Sequence, residues 1–410
     1  MMPSRPCRKR ARAMIALLVA LGCLLALPSR AEAYPWMIRH GYVQCSNCHA
    51  DPAGGGLLTT YGRAQGEILM RTRYGASAAG EPGPLAEPAW GLFDSLLPIP
   101  RSLLVGADGR YAYLRSIPLQ GASQGRFILM QADAQAQYSL GRLRANASVG
   151  YVSEGGNAAA ITQGAADAGK VISRVHWVGV DLGAQDEVLV RAGRMNLPFG
   201  IRSIEHTQFT RSETRTDTNT GQSYGVAVDY HRGPVRASLM GIAGNFLVSP
   251  DRFRSRGWAG LAELALTPTL AVGVSTKAVR TELDLPLLTP TWRHAHGTFA
   301  RYSPVRAVVM SAEWDFLHTS QPTPGRTFFG GVGTASIDLE PTQGVHVGPT
   351  VELLARDFDE PSSYGVWASA WWFFLPHADV RFDVIENSLA VPGARATKLV
   401  STIVQLHVYL

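Results

Sequence analysis

Residues 131–138 read QADAQAQY and residues 142–149 read RLRANASV, and polar and apolar side chains alternate through both stretches. An alternation of period two places one set of side chains on each face of a β-strand. The same period recurs in residues 224–230, 379–384 and 402–410. From residue 101 to residue 410 the chain is therefore predicted to be all-β.

Turn signals divide this part of the chain regularly, because a long strand, a longer polar loop and another long strand lie between successive short turns. The pattern predicts a transmembrane antiparallel β-barrel of about 16 strands, with short turns at one end and long loops at the other. The alternative is a soluble β-sandwich, whose strands would be shorter. The short turns are placed at Ser139–Gly141, Gly183–Gln185, Arg232–Pro234, Thr267–Pro268, Ser303–Pro304, Glu340–Gln343 and Leu375–His377.

The first 33 residues have the pattern of a cleaved secretory signal peptide. A basic region is followed by an apolar stretch from Met14 to Leu27 and by the small-residue motif Ala31-Glu32-Ala33. The apolar stretch is short for the alternative, an uncleaved membrane anchor. The mature chain is predicted to begin at Tyr34, outside the cytoplasm.

Removing the signal also changes the charge of the protein. Residues 1–33 contain six Lys or Arg and one Glu, which accounts for +5 of the chain's formal net charge of +6. The mature chain is therefore nearly neutral, and no basic patch with interleaved aromatic residues is left in it. These features argue against nucleic acid as a partner.

Close to the predicted mature N-terminus, residues 45–49 read CSNCH. A C-x-x-C-H motif is the sequence form of covalent c-type haem attachment, in which Cys45 and Cys48 form thioethers and His49 ligates the iron. The alternatives are a zinc site and a redox dithiol. The only other cysteines, Cys7 and Cys23, lie in the predicted signal, so the mature chain lacks the further cysteines of a common zinc site. One covalent haem c is the predicted cofactor.

Residues 34–74 are predicted to form the monohaem c-type cytochrome segment, with one short, imperfect helix after the motif. Gly54-Gly55-Gly56 can lie flat against a porphyrin, because glycine has no side chain. About forty residues cannot bury a cytochrome core alone, so the segment is expected to pack against the barrel. Residues 75–100, rich in Pro and Gly, are predicted to be a linker, and residues 101–410 the outer-membrane β-barrel.

The sixth iron ligand is not defined by the motif. His40 is the leading candidate, and it would give a lower reduction potential than a methionine ligand. The other candidates are Met37, Met70, His176 and His231.

The motif between His40 and Arg63, followed directly by a barrel of this length, resembles the fused monohaem cytochrome-porin family of the bacterial outer membrane, which includes iron oxidases. The resemblance implies that the haem lies at or in the barrel and carries electrons across the membrane. Residue by residue, it assigns the haem to Cys45, Cys48 and His49 alone. A second stretch, Arg191-Ala192-Gly193-Arg194 followed by Leu197-Pro198-Phe199-Gly200, looks like one common in anion-selective porins.

Two functions follow as hypotheses. The first is electron transfer across the outer membrane between an extracellular donor or acceptor, ferrous iron among them, and a periplasmic carrier such as a soluble cytochrome. The sequence contains no nucleophile with a base and no phosphate-binding loop, so as an enzyme the chain would be a haem-dependent oxidoreductase. The second is a solute-conducting porin in which the haem segment is a plug or a sensor. Both hypotheses have outer-membrane lipid as an expected partner. In both, the haem segment is expected to lie in the periplasm or in the barrel lumen.

The loop from Pro198 to Gly221 is the longest predicted between adjacent strands, and it is strongly polar. Because a lumen offers hydrogen-bonding partners, this loop is expected to fold into the barrel. Glu205, Glu213 and Asp217, together with His206, would then be candidate contacts for a metal-ion donor.

Overall fold

The computed structural model of the protein describes residues 34–72, 100, 102–118, 122–152, 170–205, 207–218, 221–245, 251–284, 287–391, 393 and 395–410. The predicted signal peptide lies outside the described residues. All of the predicted linker except Pro100 also lies outside them, and so does His206.

A single antiparallel sheet closes on itself. With the exception of β4 and β5, each strand segment pairs with the next in sequence, and β1 pairs with β17. Both β4 and β5 pair with β3, so these two segments form one interrupted strand. The structure is therefore a closed barrel of 16 strands, which confirms the predicted fold class.

The strand segments have the following bounds: β1 Leu103–Pro118, β2 Gln124–Leu140, β3 Leu143–Val152, β4 Lys170–Ile172, β5 His176–Leu182, β6 Val188–Met195, β7 Ser223–Arg232, β8 Val235–Asn245, β9 Arg256–Thr267, β10 Leu270–Thr281, β11 Thr291–Val305, β12 Val308–Gln321, β13 Arg326–Thr342, β14 Val345–Ala355, β15 Ser363–Leu375, β16 Ala378–Leu389 and β17 Thr397–Tyr409.

Short turns connect strands at one end of the barrel, close to the predicted positions. The exception is Ser303–Pro304, which lies within the last residues of β11, so that the turn is formed by Arg306 and Ala307. The ladder between β11 and β12 shifts register between Tyr302 and Val305. A proline is tolerated in such an irregularity because its missing N–H is not required there, and this explains why the strand continues past the turn signal.

Side chains alternate between a lipid-facing surface and the lumen. In β7, Val226 and Val228 are 54% and 45% exposed, whereas Ala227, which lies between them, and Asp229, which follows Val228, are buried. A soluble protein would bury the two valines, since exposing them to water is unfavourable. In a bilayer the same arrangement places apolar side chains against lipid and polar ones inside.

Residues 34–72, here called the plug, lie inside the lumen at the short-turn end. Gln44 Nε2 donates to the carbonyl oxygen of Gly233 at 2.5 Å, and the Thr72 N–H donates to the carbonyl oxygen of Phe373 at 2.8 Å. Its helices are 3₁₀ turns at Pro35–His40 and Cys45–Asn47, an α-helix at Thr60–Gln65 and a π-helical turn at Gly66–Met70. The α and π turns form the predicted imperfect helix. No helix among the described residues is long and apolar enough to span a bilayer.

The long loop after β6, predicted from Pro198 to Gly221 and here called the lumen loop, also folds into the lumen in its described part, as predicted. Its helix, Phe209–Thr214, packs against β12, β13 and β14. The Phe209 N–H donates to Glu352 Oε1 at 2.7 Å, and Lys277 Nζ donates to the Thr214 carbonyl oxygen at 2.6 Å. The loop is therefore held by polar contacts to the inner wall.

The orientation of the barrel predicts which ends can be labelled from outside the cell. Ser362 is exposed in the loop between β14 and β15, and Ala307 is exposed in the short turn between β11 and β12. In intact cells, a membrane-impermeant maleimide should label Ser362→Cys strongly and Ala307→Cys at the background level of the parent protein. After the outer membrane is permeabilised, both variants should be labelled. Strong labelling of Ala307→Cys in intact cells would show that the barrel has the opposite orientation in the membrane.

Candidate haem-binding site

The C-x-x-C-H motif forms a tight turn within the plug. The N–H groups of Cys48 and His49 both donate to the carbonyl oxygen of Cys45, at 3.2 and 3.0 Å. Both cysteines are buried, at 4% and 3% exposure, and neither forms a disulfide bond within the described residues. The turn therefore presents the two thiols and the imidazole from one short segment, as thioether attachment and axial ligation require.

His49 faces an internal cavity of about 280 Å³, which Cys48 also lines. The Nδ1 atom of its ring is buried and has no hydrogen-bond partner among the described residues. Burial lowers the pKa of His49 to about 4, with partial compensation from the backbone of Gly56. The imidazole is therefore neutral at pH 7, which is the form that ligates iron.

Glycines shape the wall beside this histidine. Gly54, Gly55 and Gly56 have φ values of +84°, +83° and +65°, a conformation that favours glycine over residues with a side chain. A Cβ atom built on Gly55 would meet no atom within 4 Å, and Gly55 and Gly56 both line the cavity. The run leaves open space beside Gly55, whereas a Cβ atom on Gly56 would lie 2.7 Å from Gln135 Oε1.

The helix that follows the motif is packed directly on it. A Cβ atom on Gly62 would lie 2.3 Å from the carbonyl oxygen of Cys48, so only glycine allows this approach. Thr59 caps the helix, because its hydroxyl accepts from the Gly62 N–H at 3.0 Å. The close contact fixes the position of Cys48 relative to the helix.

Two arginines lie beside Cys45. Arg236, from β8, donates from Nη1 to the Cys45 sulfur at 2.6 Å, and its other terminal nitrogen lies 3.1 Å from Glu263. Arg202, from the lumen loop, donates to the backbone oxygens of Ala53 at 3.2 Å and Leu197 at 3.0 Å. No carboxylate within the described residues lies at ion-pair distance from Arg202, and burial lowers its pKa. Arg202 can therefore pair with an anionic group in the cavity, such as a carboxylate carried by a cofactor.

A buried ion-pair network anchors the motif to the barrel wall. Arg191, on β6, donates to Asp51 of the plug at 2.9 Å and to Asp229 of β7 at 2.8 Å. Asn196 adds a hydrogen bond to Asp51 at 3.1 Å. Burial alone would raise the pKa of Asp51, but Arg191 and the backbone N–H of Ala53 hold it below its ordinary value. Asp51, two residues after His49, is thus ionised and fixed.

The candidate distal ligands are separated by the structure. Met37 and Met70 are buried and line the cavity with His49, whereas His40 is not among the lining residues. His40 is half-buried, and burial followed by the nearby Arg306 lowers its pKa to about 4. His176 lies on the lipid-facing side, where its ring lies 5.5 Å from that of Tyr224, and His231 lines a separate small cavity. The role of His40 as the sixth ligand stays a prediction, and the two methionines are better placed.

The residues present fit a covalently attached haem by their chemistry: two thiols, a neutral imidazole with a buried, unpartnered nitrogen, and a glycine wall. Cys45, Cys48 and His49 would hold it. Sequence reasoning missed Arg202, Arg236 and the anchor at Asp51, because polar residues on the inner face of a strand or in a loop carry no local sign of their partner.

The structure does not bring the carboxylates of the lumen loop together as a metal site. Glu205 is paired with Arg381, and Glu213 lies 2.8 Å from Arg356. Burial raises the pKa of Glu205 despite Arg381. In the described part of the chain, no three His, Cys, Asp or Glu side chains form a group that could hold a metal ion.

Comparison with known proteins identifies structures of similar fold but does not assign the chain to a protein family. No protein-family model and no curated protein sequence matches the chain. The solved structures of similar fold include OmpT, an outer membrane protein of Vibrio cholerae, with a TM-score of 0.56 and 10% identity over 75% of this chain and 100% of that one.

Two further solved structures are similar to the same degree. An anion-selective porin from Comamonas acidovorans gives a TM-score of 0.53 and 11% identity over 75% of this chain and 99% of the porin. OprB of Pseudomonas putida gives 0.52 and 9%, over 78% of this chain and 96% of OprB. At these identities the likeness concerns the fold alone. The chain has the fold of a porin-like barrel of the bacterial outer membrane, and its outer face exposes the apolar side chains that contact with lipid requires.

Proposed function

We propose that the chain carries one haem c on Cys45, Cys48 and His49 and transfers electrons across the outer membrane. The observation that carries the proposal is the location of the motif inside the barrel lumen, where His49 presents a buried nitrogen without a partner. The haem, when bound, would supply a one-electron carrier within a membrane that is otherwise an electrical insulator.

The residues around the motif suit that role. His49 stays neutral at neutral pH because burial lowers its pKa to about 4, so one of its two ring nitrogens carries no proton and can bind iron. Arg202 and Arg236 place positive charge beside Cys45, which favours the more negative, reduced state of a nearby redox group. Met37 or Met70, if either ligates the iron, would raise the potential further relative to a second histidine.

The proposed partners follow from the geometry. The plug lies at the short-turn, periplasmic end, so the periplasmic partner is an electron carrier, such as a soluble cytochrome. The opposite partner is an extracellular donor or acceptor that approaches past the lumen loop, and ferrous iron is the donor implied by the resemblance to cytochrome-porins. On this proposal the chain is an electron carrier or, with iron as its substrate, an oxidoreductase.

A second function, a solute-conducting porin with a haem-bearing plug, is favoured by the porin-like barrels with which the fold is shared. The lumen loop that packs against β12, β13 and β14 is compatible with it, because such a loop narrows a pore. The two functions differ in whether ions pass through the folded protein.

The haem assignment predicts that Cys45→Ser combined with Cys48→Ser abolishes haem retention through acid-acetone extraction. His49→Ala should keep the attachment but shift the Soret band, because an axial ligand is lost. Ser46→Ala, in the same turn, is the matched control and should match the parent in both measurements. Haem that resists extraction from the double serine variant, or an unchanged Soret band in His49→Ala, would refute the assignment.

The conduit proposal predicts that external ferrous iron reduces an acceptor dye enclosed in proteoliposomes that contain the haem-loaded protein. In a planar bilayer, the same preparation should show no open, ion-selective pore. Proteoliposomes of the double serine variant serve as the control and should leave the dye oxidised. An open pore together with an unreduced dye would instead establish the solute porin.

A further inference from the structure

One carboxylate in the lumen wall lacks a partner. Asp315 of β12 is fully buried, and neither of its side-chain oxygens has a hydrogen-bond partner within the described residues. Glu313, its neighbour on the same face of β12, differs, because it pairs with Arg211 and accepts from the Ile201 N–H at 2.7 Å. Burying a charge without a partner is strongly unfavourable. Asp315 therefore requires a positive charge beyond those that already serve Glu313.

The strand register places a second polar group beside Asp315. Gly297 of β11 lies opposite Asp315, and Ser275 of β10 lies opposite Gly297 on its other side. A Cβ atom on Gly297 would overlap Asp315 Oδ1, so the carboxylate fills the space above this glycine and extends toward Ser275. Neighbouring strands are about 4.8 Å apart, which places the serine within reach of a small ligand on that carboxylate. The Ser275 hydroxyl is also buried, and it has no hydrogen-bond partner in the described part of the chain.

The positions that flank these two residues in the neighbouring strands are apolar. Val332 of β13 lies opposite Asp315, and Leu261 of β9 lies opposite Ser275. Both hydrocarbon side chains are buried. Electrostatic attraction is stronger in such surroundings than in water, so a cation between the carboxylate and the hydroxyl would be held firmly.

The lumen loop covers this part of the wall. Phe209 of the loop packs in one buried cluster with Val332 and Leu317. These are the apolar neighbours of Asp315, across the ladder and two residues along β12. The next residue of the loop, Thr210, is fully buried, and its hydroxyl likewise lacks a hydrogen-bond partner among the described residues. Oxygen atoms without partners are thus contributed to one region by the wall and by the loop.

We propose that Asp315, Ser275, Thr210 and Glu313, together the cation site, bind one sodium ion. Carboxylate and hydroxyl oxygens are the ligands that hard cations prefer. The charged groups that act on Asp315 are Glu313 and Arg211, so two carboxylates and one guanidinium leave one net negative charge. A monovalent cation neutralises that charge, whereas a divalent ion would leave an excess of positive charge.

A sodium ion in the cation site would connect the wall to the lumen loop, because Asp315 and Ser275 belong to strands and Thr210 belongs to the loop. The ion would therefore help to hold the loop against β12. The proposal depends on the barrel and is independent of the haem.

The test compares sodium with choline, a cation too large for the cation site, at constant ionic strength. The full-length protein in detergent is heated, and the midpoint of unfolding is read from its heat-modifiable migration on gels. Replacing choline by sodium should raise the midpoint of the parent by about 3 °C or more, because a ligand that binds only the folded state stabilises it. Asp315→Asn should unfold at the same temperature in the two salts. The matched control is Asp383→Asn, since Asp383 is also fully buried in the lumen wall but is paired with Arg381 at 2.8 Å. This control should keep the sodium response.

Equal midpoints of the parent in sodium and in choline, or a sodium response that survives in Asp315→Asn, would overturn the proposal. Stabilisation by calcium and not by sodium would also overturn it, since the ligand would then be divalent. A third contrary result is stabilisation of the parent in choline at about pH 5 that sodium does not increase and that Asp315→Asn lacks, because the ligand would then be a proton. If Asp315→Asn does not form a heat-modifiable barrel, Ser275→Ala is titrated with sodium instead. The half-saturating concentration should then rise by about threefold or more, and an unchanged value would count against the proposal.

Discussion

The ion pair between Asp51 and Arg191 is the interaction on which the internal arrangement depends. Arg191 joins Asp51 of the plug to Asp229 of the wall, and all three charged groups are buried. Removing one member of a buried pair costs about 3–5 kcal/mol, because the other charge is left uncompensated in a poorly solvating environment. That cost holds the plug in one position relative to the strands. The position of His49, two residues from Asp51, follows from it.

The inside of this barrel is thus organised by charge, while its outside is organised by hydrophobicity. Arg301 donates to the Val43 carbonyl oxygen at 2.9 Å and also pairs with Glu263, which extends the same kind of contact to a second part of the plug. Buried apolar side chains form separate clusters beside these contacts, and in the one at the short-turn end Met37 and Ile38 of the plug join Phe373 and Tyr409. A lumen held by directed, paired contacts specifies one docking geometry for the plug. Apolar contact alone is not directional and would specify the geometry less strictly.

The barrel could be predicted from the sequence, because the alternation around residues 131–149 and the turn signals are patterns of a few neighbouring residues. The haem motif is equally local, and its three residues are brought together by one turn. Packing of the plug against the barrel was predictable, but the position in which it docks was not. Asp51 and its partner Arg191 are 140 positions apart, and each is only a polar residue in a polar context. At Pro304 a local signal was misleading. The proline predicted a turn, but it lies within β11, at an irregularity in the ladder between β11 and β12.

The enclosure of the plug sets an order of events during biogenesis. Arg63 donates to a backbone oxygen near the start of β1, and the Leu57 N–H donates to the side chain of Gln135 on β2. The Thr72 N–H donates to the carbonyl oxygen of Phe373 near the end of β15, so strands from both the early and the late part of the sequence hold the plug. A ligase that joins a porphyrin to thiols with about 4% exposure cannot reach them after the barrel has closed. Under the proposed function, cofactor attachment has to precede insertion, and the insertion machinery receives a chain that is already loaded.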